Sequence, residues 1–567
     1  MSGSVGAAAT STGLGDVPAA VLQVGVVVLV LAAAHLPLGA WMARVFTSDR
    51  HLAGERLLYR AVRVDPDAEQ RWSTYLLSVL GFSGASIVLL YGLARLQEHL
   101  PWSLDRTGFD PAGAWNTAVS FVTNTNWQWY SGESAAGHLL QTTGLAVQNF
   151  VSAAVGLAVA VALVRGFARA GTDARLGNFW ADLVRGCVRV LLPLAAVGAL
   201  ALVVAGVVQN LAGPTGMTTL TGGAQHALGG PVASQEAIKQ LGTNGGGFFN
   251  ANTAHPLEGP TPWAATLQVV LLLLIPSALP RTFGLMVGDR RQGWAVLATM
   301  TTLWAGAVAL LTWAELAGPG SVPQAAGAAM EGKEVRFGEA LSALFAASTT
   351  GTSTGAVAAT HDSLTAPGGG VTLLLMLLGE VAPGGVGTGL YGLLTLAILT
   401  VFLAGLMVGR TPEYLGKKIG RQEITLVAFS VLTMPALVLL GTALAASVPA
   451  GVAGVHEAGP HGLSEMLYAV TSAANNNGSA FGGLTSGTPF WNTLLGVAML
   501  LGRFVPIAVA LALAGRLASQ RTVPAGRGTL PTHDRLFVGL LVAVTLVVVA
   551  LTFVPVLSLG PVVESLS

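Results

Sequence analysis

Ten stretches of this chain are apolar for about 20 residues or more, the length an α-helix needs to cross the hydrocarbon core of a bilayer. They lie at 17–43, 74–96, 138–164, 185–211, 262–288, 294–317, 370–408, 423–448, 489–517 and 536–558. Backbone at that depth has no water to bond, so runs this long read as helices whose hydrogen bonds close internally. Of 567 residues, 52% are hydrophobic and only 10% charged, where soluble domains carry about 25% charged residues. The expected fold class is therefore an all-α polytopic membrane protein, one transmembrane domain over 1–567, embedded in the lipid bilayer. The first run lacks the basic flank and small-residue cleavage site of a removed signal peptide. A net charge of +1 gives no case for a nucleic-acid partner, and the single Cys187 admits no internal disulfide.

The run at 370–408 is too long for one straight crossing and carries Gly379-Glu380-Val381-Ala382-Pro383-Gly384-Gly385 in its middle. It reads as one broken helix. Lys and Arg near span ends stay on the cytoplasmic side. Alternate loops hold 22 of the 28 basic residues, Arg527 among them, while the intervening loops hold only Arg106, Lys239, Lys333 and Arg336. That asymmetry predicts both termini on the outer side.

The four long outer loops share an unusual polar chemistry. They contain Thr123-Asn124-Thr125-Asn126-Trp127-Gln128, Thr243-Asn244-Gly245-Gly246-Gly247-Phe248, Ser353-Thr354-Gly355-Ala356 and Asn475-Asn476-Asn477-Gly478-Ser479. Anchored on Thr123, Thr243, Ser353 and Asn476, they recur at intervals of 120, 110 and 123 residues. A short helical stretch precedes each, at Ala114–Val122, Ser234–Leu241, Phe337–Ala347 and Leu463–Ser472, and a new span follows. The unit is helix, re-entrant loop, helix. Four such repeats are expected at 74–164, 185–288, 294–408 and 423–517, flanked by spans 17–43 and 536–558.

Non-helical backbone at membrane depth survives only when buried in protein or lining a watery cavity. Gly, Asn, Thr and Ser tolerate the backbone conformations that aim carbonyl oxygens at one axis. Four such loops can replace the water shell of a monovalent cation, with the negative ends of the preceding helices pointing at it. The loops hold no ring of carboxylates, which disfavours a divalent ion.

At these residues the chain resembles the A subunit of the Kdp potassium-pumping ATPase. The specific strings are Phe121–Gln128, Gly242–Pro256, Gly405–Gly420, Pro460–Gly478 and Gly528–Thr532. The resemblance implies ten spans built from four potassium-channel-like repeats. It also implies a component of the bacterial plasma membrane that takes K⁺ from outside and passes it through an intramembrane tunnel to the P-type ATPase of the complex, its B subunit, with the C and F subunits completing the assembly. Its filter residues would be Thr123, Asn124 and Thr125, then Thr243, Asn244 and Gly245, then Ser353, Thr354 and Gly355, then Asn476, Asn477 and Gly478, with Gln128 just beyond the first strand. K⁺ is the transported ion, and no cofactor is implied. The chain departs from the family in having Thr354 where a cysteine often stands and Pro383 where an aromatic is expected. The segment around Glu380 resembles a gating loop.

Two ionisable groups sit inside apolar runs, Glu380 and Arg503. An isolated Arg at mid-span costs at least about 2.5–3.5 kcal/mol, so Arg503 either repels cations below the filter or ties two repeats together, and Glu380 is its nearest plausible counter-charge. His255, Glu258, His361 and Asp362 follow the second and third loops without a metal-ligand spacing, and read as ties between loops. His35 reads as a packed polar residue, and Trp127 and Trp129 as cuffs beside the first loop. Gly81-Phe82-Ser83-Gly84 matches the GxSG of intramembrane serine proteases, but no span offers an obvious histidine partner. With no GxxxxGK[ST] and no DKTG sequence, this chain needs an external energy source. A partner ATPase satisfies that, and so does an ion gradient driving a self-sufficient channel or cation symporter of the same architecture.

Overall fold

A threonine N-cap with proline in the first turn starts the helix after the polar loop in three repeats. Thr261 caps Pro262–Met286, Thr365 caps Ala366–Leu377 and Thr488 caps Pro489–Ala518, each hydroxyl accepting a backbone N–H of the first turn. Such caps fix where the chain turns from loop to membrane helix. The computed structural model describes residues 16–171, 174–317, 330–524, 526 and 529–566, so Arg527 and Gly528 lie outside the described residues.

Ten helices among the described residues are long and apolar enough to span a membrane, running from Pro18–Thr47 to Arg535–Leu559. The seventh run is broken as its sequence predicts: Ala366–Leu377 and Thr388–Val408 are separate helices joined by an intramembrane turn. The short helices before the loops are Pro111–Val122, Val232–Leu241, Gly338–Thr350 and Pro460–Asn475. The third and fourth run three residues further than the expected 347 and 472, because backbone bonds carry the winding on, with Gly351 N donating to Ala347 O at 3.1 Å. Among the described residues, two short antiparallel hairpins, Pro214–Thr218 with Ala224–Leu228 and Glu413–Tyr414 with Lys417–Lys418, lie within the loops between helices.

Burial divides each repeat in the same sense. The most apolar window of the helix after the loop is 89, 72, 56 and 50% buried in the four repeats, against 22, 28, 50 and 17% for the helix before it. The helices after the loops therefore line the axis and those before them face outward. The first span packs along the fifth, where Gly39 lets its backbone approach closely enough for Thr282 Oγ1 to donate to Gly39 O at 3.0 Å.

Two buried charged pairs knit the basic side of the bundle together. Arg165, at the end of Leu140–Ala168, makes two bonds to Asp182, and Tyr75 donates to the same carboxylate at 3.0 Å. Arg165 also donates to the carbonyls of Phe46 and Leu176, so this Arg–Asp pair together with Tyr75 ties the first, second, third and fourth spans and the connection between the last two. Arg189 grips Glu55 through two nitrogens. Planar two-bond pairing of this kind is what Arg, and not Lys, provides.

Candidate functional site

Each polar loop is tied back to the helix it leaves. In the first, Thr125 N and Asn126 N both donate to Ser120 O, at 2.9 and 3.0 Å. In the third, Thr354 N and Gly355 N share Thr349 O at 3.1 and 3.4 Å. Asn477 N donates to Ser472 O at 2.9 Å and Gly478 N to Ser472 Oγ at 3.0 Å, while Asn244 N donates to Lys239 O at 3.0 Å. This is possible because Asn124, Thr243, Ser353 and Asn476 all adopt positive φ, between 48 and 68°. Alternating left- and right-handed residues put successive N–H groups on one side of the strand. Carbonyls such as Thr125 O and Asn477 O lie on the other side, against glycines of the facing loops.

That bonding sets the structural register: Asn124, Thr243, Ser353 and Asn476 are equivalent, as are Asn126, Gly245, Gly355 and Gly478. The sequence anchor in the first loop is thus one residue early. Thr123 continues its helix, bonding to Val119 O at 2.9 Å, and Asn126, absent from the expected set, occupies the third position of the first loop. The intervals become 119, 110 and 123 residues. Within this register the side chains repeat too: Thr123 and Thr125 hydroxyls bond at 2.8 Å, and Thr352 and Thr354 at 2.7 Å in the third loop. Thr354 keeps the strand geometry of the first loop, its hydroxyl paired with Thr352 as that of Thr125 is with Thr123.

The four loops meet. A side chain on Gly478 would run into Thr125 O and lie 2.9 Å from Gly245 Cα, and one on Gly245 would lie 2.7 Å from Asn477 O. One on Gly355 would strike Asn477 O and come within 2.6 Å of Ser479 N. Only glycine permits this approach. Asparagines stitch the ring: Asn124 Nδ2 donates to Thr243 O at 2.7 Å, Asn244 Nδ2 to Asn124 Oδ1 at 2.8 Å, and Asn476 Nδ2 to Thr125 Oγ1 at 2.9 Å. Asn477 Nδ2 reaches Thr349 O at 3.1 Å. Gln128 sits away from the ring and staples two loops, donating to Gly247 O at 3.1 Å and accepting from Gly247 N at 2.9 Å.

Hollow space lies on both sides of the ring. A bowl of about 560 Å³ is lined by Trp127–Ser131, Gly246, Gly355 and Gly478–Gly482. A cavity of about 150 Å³ is bordered by Ser353 and Asn476 at the other end of the strands, with Glu380, Thr388 and Arg503 in its wall. The cavity extends sideways to Met434 of the eighth span and Thr545 and Phe553 of the tenth. The intramembrane turn hangs from the third loop, with Gly384 N donating to Gly351 O at 2.8 Å and Ser353 Oγ to Glu380 Oε2, and Val386 N reaches Thr243 Oγ1 at 2.9 Å. Pro383 faces the far side of this turn, toward the first, fifth and sixth spans. Arg503 is buried and donates to Ser152 O at 3.4 Å. It shares the cavity with Glu380 without a direct ion pair, and Glu380 Oε1 and Thr388 Oγ1 are buried there with no protein partner.

The remaining candidates act as ties. Glu258 pairs with Lys239 at 2.7 Å and accepts Phe249 N, His255 stacks on Phe249 at 3.7 Å, and His361 bonds the Tyr468 hydroxyl at 2.8 Å. Asp362 accepts from His461 Nε2 at 2.9 Å, while His461 Nδ1 donates to Glu564 at 2.8 Å. Bonds to the Asp362 and Glu564 carboxylates raise the His461 pKa to about 10, so the clamp stays charged through neutral pH. Sequence reasoning missed Asn149 and Ser152, which bond Asn126 and Asn124 from the third span. Polar residues three apart in an apolar run were the available signal. It also read Lys239 as a loop charge, whereas it is buried between Glu236 at 2.6 Å and Glu258.

A profile of the potassium-transporting ATPase A subunit family matches residues 25–566. The chain belongs to this family. It is 62% identical to the potassium-transporting ATPase potassium-binding subunit of Kineococcus radiotolerans, covering 98% of this chain and 99% of that one. With the protein of the same name from Streptomyces coelicolor it shares 58%, over 98% and 100%. Among solved structures the potassium transporter TrkH of Vibrio parahaemolyticus superposes with a TM-score of 0.53 over 86% of this chain and 95% of that one, at 14% identity. That likeness is one of fold alone.

Proposed function

We propose that this chain is the potassium-selecting and translocating subunit of an ATP-driven uptake complex. The observation that carries the reading is the ring of four loops between two hollows, its N–H groups turned back to the helices and the carbonyls of Thr125 and Asn477 packed against the glycines of the facing loops. Carbonyl oxygens in such a ring replace the hydration shell of K⁺, and the C-terminal ends of four short helices add negative potential. The filter is assigned to Asn124, Thr125 and Asn126, Thr243, Asn244 and Gly245, Ser353, Thr354 and Gly355, and Asn476, Asn477 and Gly478, with Thr123 bracing Thr125 from the helix end and Gln128 bracing the mouth. K⁺ enters from the bowl, which faces outward together with both termini, and the basic side faces the cytoplasm. The chain sits in the bacterial plasma membrane as one domain of four repeats and two flanking spans.

Below the ring, Glu380 stabilises the arriving cation and Arg503 opposes its passage straight down. The sideways cavity between the eighth and tenth spans is the exit, leading to the P-type ATPase that forms the B subunit, assembled with the C and F subunits. The relatives' names as potassium-binding subunits of a potassium-transporting ATPase support this assignment. Proteoliposomes decide it. Uptake of a rubidium tracer from low external concentration is expected only when the chain is reconstituted with its co-purified ATPase and ATP. Concentrative uptake by the chain alone would overturn this reading in favour of a self-sufficient transporter.

A further inference from the structure

A second cavity, of about 290 Å³, opens on the outward-facing flank of the bundle between the first, fifth and sixth spans. Its walls are apolar apart from His35, Ser277 and Thr301, and its inner end is Pro383 of the intramembrane turn. His35 is 8% exposed; its Nδ1 bonds Ala32 O at 3.1 Å, and its Nε2 is buried with no partner. A polar atom aimed into an apolar crevice is costly unless an occupant satisfies it.

From these features we infer that the crevice is a binding site for one anionic phospholipid of the basic-side leaflet. One acyl chain lies along the sixth span and ends against Pro383. The dimensions fit. From Trp294 to Trp304, both lining residues, is ten residues of helix, or about 15 Å, half the roughly 30 Å hydrocarbon core. Trp294 is 51% exposed, an interfacial anchor whose ring meets His35 edge-on at 5.2 Å. Arg290 and Arg291, one turn below Trp294 on the same helix, are exposed where a phosphate would sit. Arg281, one turn from Ser277, has a buried Nε without a partner. His35 Nε2 then lies at the depth of the lipid's glycerol region and, with Nδ1–H held by Ala32 O, accepts from a headgroup hydroxyl or a water bound there. The lipid wedges the turn that carries Glu380 from behind. This goes beyond the transport reading and depends on it only for naming the leaflet.

The test uses the purified complex in nanodiscs of phosphatidylcholine doped with phosphatidylglycerol bearing a photoreactive group at the acyl end. Adducts are expected to concentrate on peptides containing Trp304 and Pro383. Ala32→Trp, at an exposed lining position, should fill the crevice and cut that adduct by roughly tenfold without changing elution or melting. His35→Phe should weaken it at constant shape, and Arg290→Gln with Arg291→Gln should erase the preference for phosphatidylglycerol over the phosphatidylcholine analogue. Adducts spread evenly around the belt, adducts unchanged in Ala32→Trp, or a co-purified protein helix crosslinked there instead would each overturn the proposal.

Discussion

Gly478→Ala is expected to weaken potassium binding by at least about 100-fold, equivalent to about 2.8 kcal/mol. Gly478 has φ +106°, which L side chains rarely adopt, and its missing side chain makes room for Thr125 O and for Gly245 Cα. An added methyl must displace two strands of the ring at once. Carbonyls shifted by a few tenths of an ångström no longer match the water they replace, so the loss falls on affinity rather than on assembly. The potassium dependence of ATP hydrolysis by the purified complex measures it. Gly306→Ala, on the sixth span with open space around it, should leave that dependence unchanged. A wild-type potassium response in Gly478→Ala would remove the ring from the transport path.

Arg503→Ala is expected to lower ATP-driven uptake at least about tenfold with normal yield and elution, since a buried Arg costs energy to hold in the membrane. Its cation faces the same cavity as Glu380 without neutralising it directly. Removing it takes away the positive field beneath the ring and leaves a carboxylate that holds the ion too long. Arg503→Lys should keep most activity, because charge is retained and the single bond to Ser152 O needs no planar fork. Undiminished uptake in Arg503→Ala would show that the residue only joins helices. Equal losses in Ala and Lys variants would say the same.

The spans, the break at Gly379–Gly385 and the four polar loops were all legible in the sequence, because apolar length and its interruption are local signals. Register in the first loop was not. Thr123-Asn124-Thr125-Asn126 repeats itself every two residues, so spacing alone cannot say which threonine leaves the helix; the bonds of Thr125 N and Asn126 N to Ser120 O decide it. Gln128 reads as lying just beyond the first strand, and the fold gives it a role sequence could not show, since its amide closes on Gly247 of another repeat. Lys239 was hidden for a related reason. A lysine in an outer loop is ordinarily solvated, and only the fold brings Glu258 against it, 19 positions on, beside Glu236. Breaking such a buried pair by removing one partner costs about 3–5 kcal/mol, which is why the second loop rests on it. The threonine caps with proline in the first turn at Thr261, Thr365 and Thr488 recur like the loops and mark where each returns to the membrane.

The most direct measurement is anomalous scattering from crystals of the assembled complex soaked in thallium, a dense stand-in for K⁺. Peaks should lie between the strands ending at Asn126, Gly245, Gly355 and Gly478, within coordination distance of backbone oxygens from all four, and should vanish in Gly478→Ala. Strands that stand apart, or a space between them that stays empty while the ion binds elsewhere, would contradict the account.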